Sequence, residues 1–246
     1  MSLLDNVEVQ DDIQEEVDSL GGGALDSDVY DMVIDKAFLT QSEKTKAVAL
    51  NLHYKGRNGI TFRNQQWIKS GNAKGNKNYY IDKAGNKQYL PGFNIANAIA
   101  NITNGKPLNK LNTETKKVMV YSKDAKEEVP TDVEMVMDLL GKKVKLGILQ
   151  QIIDKTAYNE DTQSYEPTGE TIHINEVGKV FSYPEGLTTV EKKAGETEGI
   201  FITKWLKKFK DTVKDKSKGT GATAGAPKVK KQATKKAAPV ESLFDD

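Results

Sequence analysis

The 246-residue sequence contains no cysteine, which excludes disulfides and thiolate metal sites. It has no run near the roughly 18–20 apolar residues that span a bilayer. Its N-terminus lacks the basic-then-apolar pattern of a secretion signal. These absences predict a chain that remains in the cytoplasm, with no membrane among its partners. Histidine is scarce: His53 and His173 alone cannot build a zinc site. No Ser-His-Asp or nucleophile-elbow context is present. "SGNAKGNKN" has glycines and lysines without the spacing of a phosphate-binding loop. Asp11-Asp12 and Glu15-Glu16 suit magnesium but fall in a leader expected to be disordered. No cofactor, no metal and no enzymatic activity are therefore expected.

Charge of one sign is also missing where it matters. Residues 1–35 hold 11 Asp or Glu and neither Lys nor Arg, while residues 204–240 hold 12 Lys against Asp211 and Asp215. The last six residues are acidic again. A net charge of +1 hides this segregation, which points to a polyanionic partner and to charged arms competing for one surface.

What is present is strand pattern. Tyr30, Met32, Ile34, Lys36 and Phe38 alternate with Asp31, Val33, Asp35 and Ala37, and Val48, Leu50, Leu52 and Tyr54 alternate with Ala47, Ala49, Asn51 and His53. Gly56-Arg57-Asn58-Gly59 is a tight turn into a third strand, residues 60–69. Residues 70–90 form a long insertion, with strand-turn-strand chemistry in "YYIDKAGNKQYL". A helix follows Pro91-Gly92 and ends at Gly105, with Phe93, Ala96, Ile99 and Ala100 as its buried stripe. Residues 116–121 predict a fourth strand, residues 133–140 a short helix, and residues 144–153 a fifth strand with a polar excursion through 154–176. Three strands, a helix and two strands is the order of a five-stranded Greek-key barrel of the oligonucleotide/oligosaccharide-binding (OB) type. Other small β-barrels and open sandwiches are the alternatives. The expectation is a mainly β protein: this barrel, a helix between strands 3 and 4, a long basic hairpin insertion, a C-terminal amphipathic helix and disordered arms.

The chemistry is concentrated in "ITFRNQQWIK". Thr61, Arg63, Gln65, Trp67 and Lys69 share one face, which carries an indole between cations and no aliphatic side chain. Such a face suits a single nucleic-acid strand, stacking a base on the indole and neutralising phosphates at Arg63 and Lys69. The alternative packs Trp67 under the insertion. Lys74, Lys77, Lys83 and Lys87 in the insertion interleave with Tyr79, Tyr80 and Tyr89, against the single acid Asp82. They suit a flexible electrostatic funnel with stacking platforms, or a hairpin whose tyrosines cover the barrel mouth. Residues 202–214, "ITKWLKKFKDTVK", place Ile202, Trp205, Leu206, Phe209 and Val213 on one helical stripe. That stripe docks on the barrel, on a partner or second copy, or on a membrane surface.

Two stretches, "LDSDVYDMVIDKAFLTQS" and "GNKNYYIDKAGNKQYLPGFNIANAIANITNGKP", resemble the single-stranded DNA-binding proteins of lytic podoviruses over roughly residues 24–185. The resemblance implies an OB fold in a bacterial host's cytoplasm. Its task would be coating exposed strands in replication, recombination and repair without reading sequence. It also implies a mobile acidic tail with an aromatic near its tip. Here Leu243 and Phe244 would anchor that tip and Glu241, Asp245 and Asp246 would charge it. The tip would shield the DNA-binding groove, then recruit polymerase, helicase, recombinase or RNA polymerase. Two acids follow Phe244, whereas relatives usually end on the aromatic, so a pocket gripping a terminal Phe carboxylate does not carry over.

The expected division is an acidic flexible leader (1–23), an OB-fold single-stranded DNA-binding domain (24–200), a basic amphipathic helix (201–218), and a flexible basic linker with an acidic Leu-Phe tip (219–246). The competing expectation is an adaptor that tethers replication or transcription machinery through its arms, with DNA binding secondary.

Overall fold

The computed structural model describes residues 23–122, 127–162 and 164–218. The protein is mainly β, built on a large antiparallel sheet. Strands β1 (Asp28–Gln41), β2 (Val48–Gly56) and β3 (Thr61–Lys69) form an antiparallel meander. Period-two alternation puts Leu50, Leu52 and Tyr54 of β2 into the core beside Phe62. Between β2 and β3, Asn58 (φ 56°) and Gly59 (φ 72°) take left-handed conformations, which lets so short a turn reverse the chain.

The alternation of β1 does not hold along its length. The pairing with β2 shifts between Ile34 and Lys36, leaving Asp35 as the extra residue of a β-bulge. One extra residue moves every later side chain to the opposite face. Met32 and Ile34 face the main core, then Ala37 and Leu39 do so, and Phe38 turns outward instead of continuing the inward row. Phe38 becomes the base of a second small core with Val118, Val133 and Met135.

After β3 come β4 (Tyr79–Ile81) and β5 (Lys87–Tyr89), a separate two-stranded hairpin in which Gly85 takes its expected positive φ, 85°. Helix α1 (Pro91–Asn104) starts on proline and ends at Gly105 (φ 66°). It buries Ala96, Ile99, Ala100 and Ile102, while Phe93 stays half-buried.

β6 (Thr113–Ser122) and β7 (Glu127–Val136) form a ten-residue hairpin. The helix expected over residues 133–140 is therefore corrected. Val133 and Met135 are buried while Asp132 and Glu134 are exposed, a period-two pattern that sheet pairing satisfies, and only Met137–Leu139 makes a 3-10 turn. β8 (Lys143–Asn159) and β9 (Ser164–Ser182) extend the fifth strand and its polar excursion into one long hairpin.

α2 (Thr189–Lys193) and α3 (Phe201–Phe209) follow, then β10 (Val213–Asp215), parallel to β8. The amphipathic helix thus ends at Phe209, and Val213 leaves its stripe for an exposed edge strand. Of the three faces open to it, α3 packs on the sheet. Trp205 is 4% exposed and lies on β8, where a β-carbon at Gly147 would come within 2.8 Å of the indole.

The main sheet runs β10-β8-β1-β2-β3, with β9 on β8, β7 on the end of β1, and β6 on β7. Among the described residues ten strands form where the pattern of the sequence marked five and an insertion hairpin. Among the described residues, β3 pairs with β2 alone. No helix there is long and apolar enough to cross a membrane. The acidic leader to residue 22 and the linker and tip from residue 219 lie outside the described residues.

Candidate nucleic-acid interface

The edge position of β3 leaves its outward row open. Thr61, Arg63, Gln65 and Trp67 are all exposed, and Phe62 and Gln66 between them are buried. Lys69 is exposed too, but the register with β2 slips by one at Ile68, so Lys69 opposes Val48 instead of continuing the row expected from alternation. Trp67 does not pack away under the insertion: 47% of it is accessible. Opposite it on β2 lies Ala49, a small neighbour that leaves the ring uncovered. Gln65 donates to Asn51 Oδ1 at 3.0 Å, and Asn51 Nδ2 donates to Thr40 Oγ1 at 2.8 Å. This side-chain ladder across three strands holds the amide in the row.

The second small core sets one border of this surface. Phe38 meets His53 edge-on at 5.6 Å, and the β6–β7 hairpin packs on Phe38. Glu128 of that hairpin reaches Arg63 at 3.7 Å. Burial, then the positive charges of Arg63 and Lys36, hold His53 below its usual 6.5. Direct register opposes Glu128 to Tyr121, and the pleat puts Met119 on the same face. Tyr121 and Met119 are 60% and 49% exposed. Neither was singled out from the sequence, although Val118-Met119-Val120-Tyr121 alternates visibly.

The insertion hairpin supplies a different border. Tyr79 pairs with Tyr89 and Tyr80 with Gln88, so Tyr79, Tyr89, Ile81 and Lys87 share one face and Tyr80 takes the other. Lys77 and Lys87 put their ammonium groups 5.5 and 5.3 Å from the centre of the Tyr79 ring. Tyr89 packs on Phe93 of α1 at 4.9 Å. The loop leading in has a frame of its own, with Ser70 N–H donating to Lys77 O and Asn72 N–H to Thr45 O.

Asp82 does not neutralise the lysines around it. It accepts from the amides of Ala84 and Asn86 and from Gln88, and those hydrogen bonds, the Asn86 amide first, hold its carboxyl below the usual range. Among the described residues, no carboxylate pairs with Lys69, Lys74, Lys77, Lys83 or Lys87. Five unneutralised cations on one strand end and one hairpin make a local positive field.

Where β3 ends, a cavity of about 650 Å³ opens between the strand, the insertion and α1. Its walls include Ile68, Phe93 and Leu111, and Lys69, Lys77 and Tyr79 also line it. Tyr79, not Tyr80, is thus the tyrosine that serves this space. Among the described residues, no group of three His, Asp or Glu is placed to hold a metal ion.

No protein-family model matches the chain, and no curated protein matches it. The surface is therefore read from its own chemistry. Arg63, Gln65 and Trp67 come together on β3; Lys77, Tyr79, Lys87 and Tyr89 come together on the insertion, and Lys69 at the end of β3 lines the cavity with Lys77 and Tyr79. Tyr80, Lys74 and Lys83 are exposed on the same insertion without sharing that contact. Glu241, Leu243, Phe244, Asp245 and Asp246 lie outside the described residues.

Proposed function

We propose that this protein binds single-stranded DNA without regard to sequence, coating exposed strands in a bacteriophage's replication, recombination and repair. The observation that carries this reading is Trp67: half exposed, in an outward row with Arg63 and Gln65 and two residues from Lys69, on an edge strand. An indole so placed loses apolar hydration when a base stacks on it, at roughly 1–3 kcal/mol per base. Ring faces accept any base and the lysines answer first to phosphate charge, which supports binding without sequence preference.

The meander β1–β2–β3 followed by α1 supports an OB-type arrangement for this sheet. The likeness of residues 24–185 to podovirus single-stranded DNA-binding proteins supports the same function, in the cytoplasm of a bacterial host. On this reading the acidic Leu243-Phe244 tip shields the basic surface in the absence of DNA and recruits replication proteins when DNA displaces it.

Trp205 is buried, so a change in tryptophan emission on adding oligo-dT reports on Trp67. Emission should be quenched, and log affinity should fall with log salt at a slope of about −0.7 per phosphate neutralised. Trp67→Ala should weaken binding to every sequence alike, and a variant lacking residues 241–246 should bind DNA as tightly or more tightly. Unchanged emission and anisotropy at saturating oligo-dT and low salt would refute the assignment. Loss of DNA binding on removing the tip would contradict the shielding role.

A further inference from the structure

From the cavity at the end of β3 we infer a base-binding subsite: one nucleobase of the bound strand turns out of the stack and enters it. The inference rests on the single-stranded DNA reading and adds a place where that strand is gripped.

Its size of about 650 Å³ falls in the range, about 300–1,000 Å³, of pockets that enclose small ligands. Its walls are of two kinds. Ile68, Phe93 and Leu111 offer the apolar surface that a flat ring covers. Asn76, Asn78 and Asn109 line the same space and offer amides. Asn76 donates to Asn72 Oδ1 at 2.7 Å, yet its own Oδ1 is buried with no hydrogen-bond partner among the described residues. A buried acceptor left unmatched is costly; this oxygen is covered in the unbound protein, so a turn of the Asn76 side chain would bring it to the cavity, where an occupant's N–H removes that cost.

Every nucleobase carries such a donor: thymine at N3, cytosine at its exocyclic amine, adenine at its own, guanine at N1 and N2. One acceptor therefore tightens the grip without choosing a base, in keeping with sequence-independent binding. A phenyl or aliphatic occupant would leave Asn76 unmatched. Lys69 and Lys77 also line the cavity and carry no carboxylate partner among the described residues, so the phosphates flanking the inserted base meet cations. The β2–β3 register slips at Ile68, so Lys69 leaves the row of Trp67 and opposes Val48 at the cavity, and the DNA strand would cross the end of this edge strand between the stacking ring and the subsite.

The test uses the full-length chain and oligo-dT carrying single 5-iododeoxyuridines, whose photo-crosslinks to aromatic residues are mapped by peptide sequencing. Crosslinks at both Trp67 and Phe93 are expected. Leu111→Trp, which fills the cavity, should abolish the Phe93 crosslink, spare that at Trp67, and weaken oligo-dT binding about tenfold, as loss of one stacked base implies. Asn76→Leu, in the loop and away from the main core, should weaken oligo-dT severalfold. Both variants should bind a base-free deoxyribose-phosphate oligomer as the unaltered protein does. Crosslinks at Trp67 but none at Phe93 overturn the inference and leave DNA binding standing; recovery of the Phe93 crosslink on removing residues 241–246 would then identify the tip as the occupant. Equal losses for oligo-dT and the base-free oligomer also overturn it. No crosslink and no anisotropy change at all would instead remove the DNA-binding reading.

Discussion

Gly92, the second residue of α1, lies against the main chain of Trp67: a β-carbon there would stand 2.5 Å from the Trp67 carbonyl oxygen and 2.7 Å from its amide nitrogen. The helix is therefore seated on the one strand that carries the stacking ring, and only a residue without a side chain permits that approach. Replacing Gly92 with Ala should cost about 1–3 kcal/mol by forcing backbone to move, and should shift Trp67 enough to weaken oligo-dT binding. Urea unfolding and a fluorescence titration measure the two effects. A variant as stable as the parent would show that the contact is not held in solution.

Removing the carboxylate opposite Arg63 should favour a polyanion. The Arg63–Glu128 pair is exposed on both sides, so it adds at most about 1 kcal/mol to the fold. Glu128→Gln is expected to leave the melting temperature nearly unchanged and to raise oligo-dT affinity severalfold at low salt, the gain fading as salt screens the site. Equal affinity at low salt would mean that Arg63 makes no phosphate contact.

Tyr54 is fully buried against Phe62, with ring centres 5.8 Å apart, and its hydroxyl has no hydrogen-bond partner among the described residues. Burial pushes its ionisation far above the ordinary tyrosine value. A buried hydroxyl without a partner costs about 1–3 kcal/mol, so Tyr54→Phe should stabilise the protein or leave it unchanged. Destabilisation in thermal unfolding would show that the hydroxyl finds a partner.

His53 should make stability depend on pH near neutrality. Its folded value lies below the 6.5 of an exposed imidazole, so between the two the unfolded chain binds the proton more readily. The stability it contributes is present above about pH 6.5 and is lost as pH falls toward the folded value. Substitution by Gln should flatten that limb of the unfolding profile below about pH 6.5. Parallel profiles for the two proteins would place His53 in an ordinary exposed setting.

Much of the site was legible because strand alternation assigns faces from order alone. "ITFRNQQWIK" has only one outward row, and the structure exposes Arg63, Gln65 and Trp67 together as that alternation requires, while a slip of register at Ile68 takes Lys69 out of it. "YYIDKAGNKQYL" marked its hairpin because Gly85 supplies the positive φ a tight reversal needs. The same local rule fails where one residue breaks phase. Nothing around Asp35 announces a bulge, so alternation alone keeps Phe38 in the row of Met32 and Ile34, which the structure breaks. Over residues 133–140, alternating Val, Glu and Met also satisfies a short helix when the partner strand is not in view.

Composition and order by themselves determined the strand content of the central region, the segregation of charge, the outward chemistry of β3 and the start and stop of α1. These follow from side-chain polarity, two-residue periodicity and the backbone limits of proline and glycine, which act within a few residues. Tertiary structure alone decided that Tyr79 rather than Tyr80 lines the cavity, that Glu128 reaches Arg63, and that Trp205 is buried on Gly147 while Trp67 is not. Each of these depends on which distant segments pack together, and pairing across tens of residues is set by the total burial and hydrogen bonding of the whole sheet rather than by any local pattern.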